Sequence, residues 1–184
     1  MDAGSTLNHP FTLGHFVPRV RSLTIVTLAP EEHSYPQAKI RYVYQDLRAL
    51  EIADDSFDAV VSLSTLEHVG LDNKRFNHDR GSQGDPREGV RQAIRELVRV
   101  ARPGAMLLIS VPFGRAWTGD WVRVFDGDDL DDLVASAEPA EAGEWIYRRG
   151  PQGWRVTTRP GAADAEYQEW FAEAVACVRL TLPG

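Results

Sequence analysis

The 184-residue sequence is poor in cysteine and in long apolar runs, and each shortage excludes a class of protein. Its one cysteine, Cys177, cannot form an internal disulfide or a cysteine-based zinc site, so we expect a cytoplasmic protein. The longest apolar run, residues 105–111, is much shorter than a membrane span. Residues 1–6 carry neither a basic segment nor an apolar core, so we predict no signal peptide and no membrane partner.

Basic residues are also in short supply. The sequence has 20 lysines and arginines against 27 aspartates and glutamates, a net charge of −7. Because nucleic-acid affinity comes mostly from basic side chains that neutralise phosphates, this balance argues against a nucleic-acid partner. With 43% hydrophobic and 26% charged residues, the chain has the composition of a globular protein. Its length suits one domain over residues 1–184, and its oligomeric state stays open.

Short apolar runs alternate with a helical pattern, which predicts an α/β fold with a parallel sheet and helices on its faces. Four buried strands are predicted at residues 22–28, 40–44, 57–64 and 105–111. The helical spacing of Val90, Ile94 and Leu97 predicts an amphipathic helix over residues 87–101.

The last third of the sequence predicts one more helix and two closing strands. Asp126 and the acidic residues after it suit the start of a helix, where carboxylates cap free amides. Residues 144–149 and 175–182 are predicted as strands that form an antiparallel pair. Residues 150–169 are rich in turn-forming residues and receive no assignment.

Polar residues follow the predicted strands. In doubly wound sheets, ligands bind beyond the carboxyl ends of the strands, where helix N-termini and free amides converge. Asp46 follows the second predicted strand, residues 64–68 follow the third, and Gly4 stands near the start of the chain. We expect these groups to gather at one edge of the sheet and to form one cleft.

Two blocks resemble class I S-adenosylmethionine-dependent methyltransferases of the small-molecule type. Residues 46–69 are similar to the central segment of that family, and residues 93–112 are similar to its next segment, at the spacing the family uses. The resemblance implies a Rossmann-like sheet, S-adenosylmethionine as the cofactor, and an enzyme that methylates an oxygen or nitrogen of a small-molecule acceptor. Since the sulfonium is an activated donor, such a protein mainly aligns a nucleophile and excludes water.

The resemblance assigns the cofactor's methionine part to two segments. The family's glycine-rich loop after its first strand corresponds to Asp2, Gly4 and Ser5, with Gly4 as the one glycine retained. Ser64 and Thr65 match the segment that flanks the sulfonium. In the family the first strand is central and a helix precedes it. Here about three residues of that strand are present, so we expect the first strand to be largely missing and the chain to be N-terminally truncated.

The nucleoside part falls on residues after the next two strands. Thr27 stands where the family has an acid that holds both ribose hydroxyls, with Glu31 and Glu32 close behind. A threonine makes one such bond, but it cannot make the charge-assisted pair. Asp46 matches the contact with the adenine amine, and Leu47 lies beside it.

Glu67 and His68 have three interpretations. His68 is the candidate catalytic base, because histidine titrates near neutrality. One methyltransferase subfamily that modifies RNA ends binds a metal through Glu-x-x-Glu-His and a later histidine. Here Ser64 replaces the first glutamate and leaves Glu67, His68 and His78, so no metal is predicted. In the third interpretation, Glu67 and His68 only orient the loop over the cofactor.

Two further features adjoin the expected cleft. Residues 70–86 form a long polar loop, which is either a flexible acceptor-binding lid or disordered. Trp117 and Trp121 are placed to line an acceptor pocket, because their loop leaves the ligand end of a strand. The other three tryptophans are expected to pack on the sheet, at positions 145, 154 and 170.

Two other functions compete with methyl transfer. One is a truncated, catalytically weak or inactive methyltransferase-like module that acts by binding, which the late start and Thr27 favour. The other is a nicotinamide-dependent oxidoreductase, which residues 46–69 disfavour because they resemble methyltransferases and not dehydrogenases.

Overall fold

The structure, a computed structural model, describes residues 1–35, 39–74 and 84–184. Eight strands form one sheet: β1 (Asp2–Ala3), β2 (Leu23–Thr27), β3 (Ile40–Tyr44), β4 (Phe57–Leu63), β5 (Ala101–Pro112), β8 (Glu141–Gly150), β9 (Gly153–Thr157) and β12 (Ala174–Thr181). Four two-residue strands form two small hairpins: β6 (Trp117–Thr118) with β7 (Arg123–Val124), and β10 (Tyr167–Gln168) with β11 (Phe171–Ala172). The α-helices are α1 (Pro10–Phe16), α2 (Pro86–Val100), α3 (Gly127–Ala137) and α4 (Arg159–Ala162), and 3₁₀ turns span Val17–Arg19 and Leu66–His68.

The strand order is β3-β2-β1-β4-β5-β12-β8-β9. The first five strands pair in parallel, and the last three join them through antiparallel pairs. The predicted parallel sheet is therefore confirmed, as is the antiparallel pairing of the two predicted closing strands, now β8 and β12. In such a sheet the carboxyl ends of β1 to β4 meet at one edge.

The strand that was expected to be largely missing consists of Asp2 and Ala3. It lies in the middle of the parallel half, where Asp2 is in register with Ile25 of β2 and with Val61 of β4. Two residues are enough to link both neighbours, because the backbone pairing continues past the strand. The Gly4 amide donates to the Val26 carbonyl at 2.8 Å.

Helix α2 connects β4 to β5 and covers the sheet. Asp85 caps it by accepting from the Arg87 amide at 2.9 Å, and Pro86 at the first position suits a helix start. Its buried face includes Ile94 and Leu97, both fully buried, as the periodicity predicted. The opposite face carries arginines paired with acids, among them Arg91 with Asp132 of α3.

A buried ion pair ties α3 to the strands beside the predicted cleft. Asp126 and Asp129 form a capping box at its start, as the acidic run predicted. Arg123 of β7 lies 2.6 Å from Asp129, and both side chains are at most 4% exposed. Because a buried charge is costly unless it is paired, this contact holds α3 against β7.

Several elements carry no periodic signal in the sequence. Strand β9 lies at the edge of the sheet and residues 153–156 are exposed, so no alternating apolar pattern marks it. Helix α1 buries only Leu13, so an apolar stripe is absent there too. Within the described ranges, no helix is both long enough and apolar enough to cross a membrane.

Candidate active site

A cavity of about 610 Å³ opens at the carboxyl ends of β1 to β4. This volume lies within the range of small-molecule and cofactor sites. Its walls are the four segments that follow those strands, at residues 4–9, 26–32, 45–48 and 64–73. The lining residues are Gly4, Ser5, Thr6, His9, Val26, Thr27, Leu28, Ala29, Pro30, Glu31, Glu32, Gln45, Asp46, Leu47, Arg48, Ser64, Thr65, His68, Val69, Gly70 and Asn73. The expected convergence of the post-strand segments on one cleft is what the fold produces.

The predicted site residues fall on this cavity with one exception. Those that line it are Gly4, Ser5, Thr27, Asp46, Leu47, Ser64, Thr65 and His68. Asp2, predicted as a cofactor contact, does not line it. Its side chain is fully buried, and its Oδ2 accepts from the Leu7 amide at 2.8 Å. Through this bond the carboxyl supports the loop after β1 from behind. Burial raises the pKa of Asp2 to about 6.

Gly4 brings the loop after β1 against the segment after β4. Its φ of +115° is a conformation that favours glycine, and a Cβ there would lie 1.9 Å from Oγ1 of Thr65. Two neighbouring cavity residues also adopt left-handed backbone angles, Ser5 at φ 63° and Ser64 at φ 49°. Non-glycine residues rarely do so, and such outliers cluster at functional sites.

The end of β2 carries a threonine instead of an acid, but an acidic residue, Glu31, lines the cavity four residues further along. Thr27 lines the cavity at the strand end, and Glu31 lines it from the following loop. The Glu31 carboxylate accepts from Asn8 Nδ2 at 2.7 Å and from the Ser5 hydroxyl. The role of Asn8 was missed, because no spacing in the sequence relates it to Glu31.

Asp46 is held by a residue that the sequence did not single out. Arg48 donates from Nη2 to Oδ2 at 2.7 Å and from Nε to Oδ1 at 3.0 Å, and its amide donates to Oδ1 at 2.9 Å. These bonds to Asp46 raise the pKa of Arg48 above its usual range.

His68 is fixed by the loop after β5. Its Nδ1 lies 2.7 Å from the Trp121 carbonyl, and the two rings stack with centroids 5.2 Å apart and an interplanar angle of 11°. A carbonyl only accepts, so Nδ1 carries the proton and the lone pair of the neutral ring resides on Nε2. The contact thus selects the tautomer in which Nε2 can accept a proton.

An aromatic row continues from His68. Trp121 meets Tyr167 edge to face at 6.1 Å, and Tyr167 stacks on Trp117 at 6.4 Å. Trp117 is 51% exposed at the far end. The other three tryptophans, which were expected to pack on the sheet, are partly exposed, with exposed fractions of 42%, 50% and 64% for Trp145, Trp154 and Trp170.

Glu67 does not line the cavity that His68 lines. It is 3% exposed, and its Oε2 has no hydrogen-bond partner among the described residues. Burial raises its pKa from 4.5 to about 8, so the carboxyl is neutral at neutral pH. The part of the chain that the structure describes holds no cluster of three metal-ligating side chains, and His78 lies outside it. The lid hypothesis also falls largely on undescribed residues, 75–83.

Comparisons with known proteins point in one direction. Residues 15–109 match the family described as a methyltransferase domain. The ubiquinone biosynthesis O-methyltransferase of Ruegeria pomeroyi is 26% identical over 129 residues, 66% of this chain and 50% of that relative. The chain therefore spans about half the length of this curated relative.

Two solved structures have a similar fold. One is the 1,6-didemethyltoxoflavin-N1-methyltransferase of Burkholderia thailandensis, crystallised with 1,6-didemethyltoxoflavin and S-adenosylhomocysteine; it has a TM-score of 0.61 and 16% identity, over 100% of this chain and 70% of that one. The other is the N-methyltransferase NodS of Bradyrhizobium japonicum with S-adenosylhomocysteine; it has a TM-score of 0.59 and 18% identity, over 100% and 76%.

The Gly4→Ala substitution should destabilise the fold. The new Cβ would overlap Thr65 and would demand a strained φ, which together cost on the order of 2–4 kcal/mol of unfolding free energy. Urea denaturation measures this loss, and Thr65→Gly in the same chain should restore part of it. Gly14→Ala is the control, since a Cβ at that helical position meets nothing within 4 Å. A Gly4→Ala protein as stable as the parent would refute the close contact.

Glu67→Gln should change how stability depends on pH. The folded-state pKa of Glu67 is raised, so its contribution to the free energy of unfolding is fully present below about pH 4.5. That contribution is lost as the pH rises towards about 8, and the loss then levels off. The loss amounts to roughly 1.4 kcal/mol per pH unit within that window. Glutamine has the shape of the neutral acid but does not ionise. Urea denaturation at pH 5, 6.5 and 8 should therefore show that the variant becomes more stable relative to the parent as the pH rises. Glu169→Gln, at an exposed position, is the control, and equal pH profiles for all three proteins would contradict the buried neutral acid.

Proposed function

The chain belongs to the methyltransferase domain family, and on that premise we propose that it transfers a methyl group from S-adenosylmethionine to an oxygen or nitrogen of a small molecule. The observation that carries the proposal is that one cavity, at the ends of β1 to β4, brings together segments that are separate in the sequence. Two of its walls, residues 26–32 and 45–48, suit a nucleoside. The other two, around Gly4 and Thr65, suit the methionine part.

The residues present fit this cofactor. Gly4 lets the backbone approach the ligand closely, and the Asp46 carboxylate, which lines the cavity, is the proposed acceptor for an exocyclic amine. Leu47 offers an apolar contact beside it, and Ser64 and Thr65, which also line the cavity, are the residues proposed to flank the sulfonium. When bound, S-adenosylmethionine supplies an activated methyl group, so the protein needs little covalent chemistry of its own. Asp2 acts indirectly by fixing the Gly4 loop.

His68 is the proposed catalytic base. Its Nδ1 proton is committed to the Trp121 carbonyl, so Nε2 is the atom that removes a proton from an acceptor hydroxyl or amine. Stacking on Trp121 restricts ring rotation, which keeps Nε2 in one direction. Trp121 therefore positions the base as well as bordering the acceptor.

The acceptor is proposed to be a flat, hydroxylated or nitrogen-containing ring. The row of Trp121, Tyr167 and Trp117 begins at the base, and aromatic faces favour offset stacking with planar molecules. The curated relative is named as an O-methyltransferase and one structural neighbour as an N1-methyltransferase, which supports both oxygen and nitrogen as targets. We also propose a cytoplasmic location, since the chain has a single cysteine.

A binding module without catalysis is the second candidate. Thr27 in place of an acid favours it, because one hydroxyl cannot make the charge-assisted pair of bonds to a ribose. Methyl transfer remains the better supported function, because His68 is held in the tautomer that a base requires.

The His68→Asn variant tests the proposal. Asparagine keeps a donor for the Trp121 carbonyl but has no basic nitrogen, so kcat should fall about 10²- to 10⁴-fold. The assay follows transfer of a labelled methyl group from S-adenosylmethionine to a panel of phenols, catechols and ring amines. The calorimetric Kd for S-adenosylhomocysteine should stay within about threefold, because the nucleoside walls are untouched.

His15→Asn in helix α1 is the matched control, since His15 is exposed and outside the cavity. Unchanged kcat in His68→Asn would remove His68 from catalysis. Tight binding of S-adenosylhomocysteine without transfer to any acceptor would favour the binding module, and no binding by a folded sample would overturn the proposed function.

A further inference from the structure

A set of side-chain hydrogen bonds fixes Glu31 at the rim of the cavity. Asn8 is 5% exposed, and its Nδ2 donates to Glu31 Oε2 at 2.7 Å and to the His33 carbonyl at 3.0 Å. The Ser5 hydroxyl donates to the other oxygen, Oε1. Both oxygens of the carboxylate are therefore anchored, although Glu31 as a whole remains exposed and lines the cavity.

Tyr42 of β3 fixes Asn8 in turn. Its hydroxyl donates to Asn8 Oδ1 at 2.8 Å and accepts from the Tyr35 amide at 2.8 Å. Because Oδ1 receives the tyrosine proton, the amide is oriented with Nδ2 towards Glu31. We call the four residues Tyr42, Asn8, Ser5 and Glu31 the Glu31 clamp. The clamp connects the segments after β1 and β2 to the body of β3.

We infer that Asn8 and Tyr42 are positioning residues that hold Glu31 as the acceptor for the two ribose hydroxyls of the cofactor. This inference rests on the proposed function. A carboxylate has about four lone-pair sites, and the clamp uses two of them, which leaves one on each oxygen for a vicinal diol. Glu31 thereby does what Thr27, with one hydroxyl at the end of β2, cannot do.

The clamp also explains how Glu31, four residues beyond the end of β2, could bind the ribose. An unrestrained glutamate loses much rotamer freedom on binding, which weakens affinity, whereas a held one is already ordered. The charge distribution agrees with this placement. Burial raises the pKa of Tyr42, and the nearby carboxylate of Glu31 adds to the rise.

The test compares S-adenosylhomocysteine with its 2′-deoxyribose analogue by calorimetry. The parent protein should bind the ribose form roughly ten- to a hundredfold more tightly, the range expected for a hydrogen bond to a charged group. Glu31→Gln and Asn8→Ala should reduce this ratio of Kd values to about threefold or less, and Tyr42→Phe should give an intermediate ratio. General damage to the fold would weaken the binding of both ligands equally and would leave the ratio of their Kd values unchanged. A change in this ratio therefore reports the positioning of Glu31.

Two further variants test whether the ribose preference depends specifically on the Glu31 clamp. Tyr44→Phe makes the same change on the same strand at a residue that is 46% exposed and outside the cavity, so its ratio should match the parent within about twofold. Glu32→Gln alters the neighbouring acid, and it should keep the ribose preference because Asn8 contacts Glu31 and not Glu32. Thermal unfolding confirms that each variant is folded.

The outcomes distinguish failure of the proposed function from failure of the inference about Glu31. If the parent binds neither ligand, both the proposed function and the inference fail. If it binds both ligands equally, or if Asn8→Ala and Glu31→Gln keep the full preference, the inference is wrong while the proposed function stands. Loss of preference in Glu32→Gln alone would assign the ribose to Glu32 and would also overturn the inference.

Discussion

The close approach of the Gly4 backbone to Thr65 is the contact on which the candidate site depends. Strand β1 contributes only Asp2 and Ala3 to the centre of the sheet, so the loop after it has little strand to support it. The loop is held by packing against the segment after β4, where no side chain fits at position 4. This packing brings the walls from β1 and β4 together, and the walls from β2 and β3 follow from the parallel order.

Groups outside the cavity maintain this arrangement. Asp2 accepts from the loop amide of Leu7 beneath the cavity, and the Trp121 carbonyl holds the ring of His68 from the other side. Glu67, buried and neutral, lies in the same 3₁₀ turn as His68. The cavity-lining residues are therefore held by contacts made behind them, a common way of limiting side-chain motion in a site.

Much of this was predictable because it follows from local pattern. The apolar runs of β2 to β5 and the stripe of α2 marked the parallel sheet, and the rule that ligands bind at strand ends pointed to Asp46, Ser64 and Gly4. The roles of Asn8, Tyr42 and Arg48 were not predictable, because each depends on a partner that the fold brings close. The position of the Asp2 side chain was not predictable either. Its place two residues before Gly4 does not reveal that the side chain turns under the loop and bonds to the Leu7 amide. Strand β9 was missed because its exposed edge carries no alternation.

Hydrogen–deuterium exchange with and without saturating S-adenosylhomocysteine tests most directly whether the four post-strand segments form one nucleoside-sized site. If they do, exchange should slow in residues 4–9, 27–33, 45–48 and 64–70, with no change in the β8–β9 hairpin at the other edge of the sheet. Protection of that hairpin, or of only one of the four segments, would contradict it.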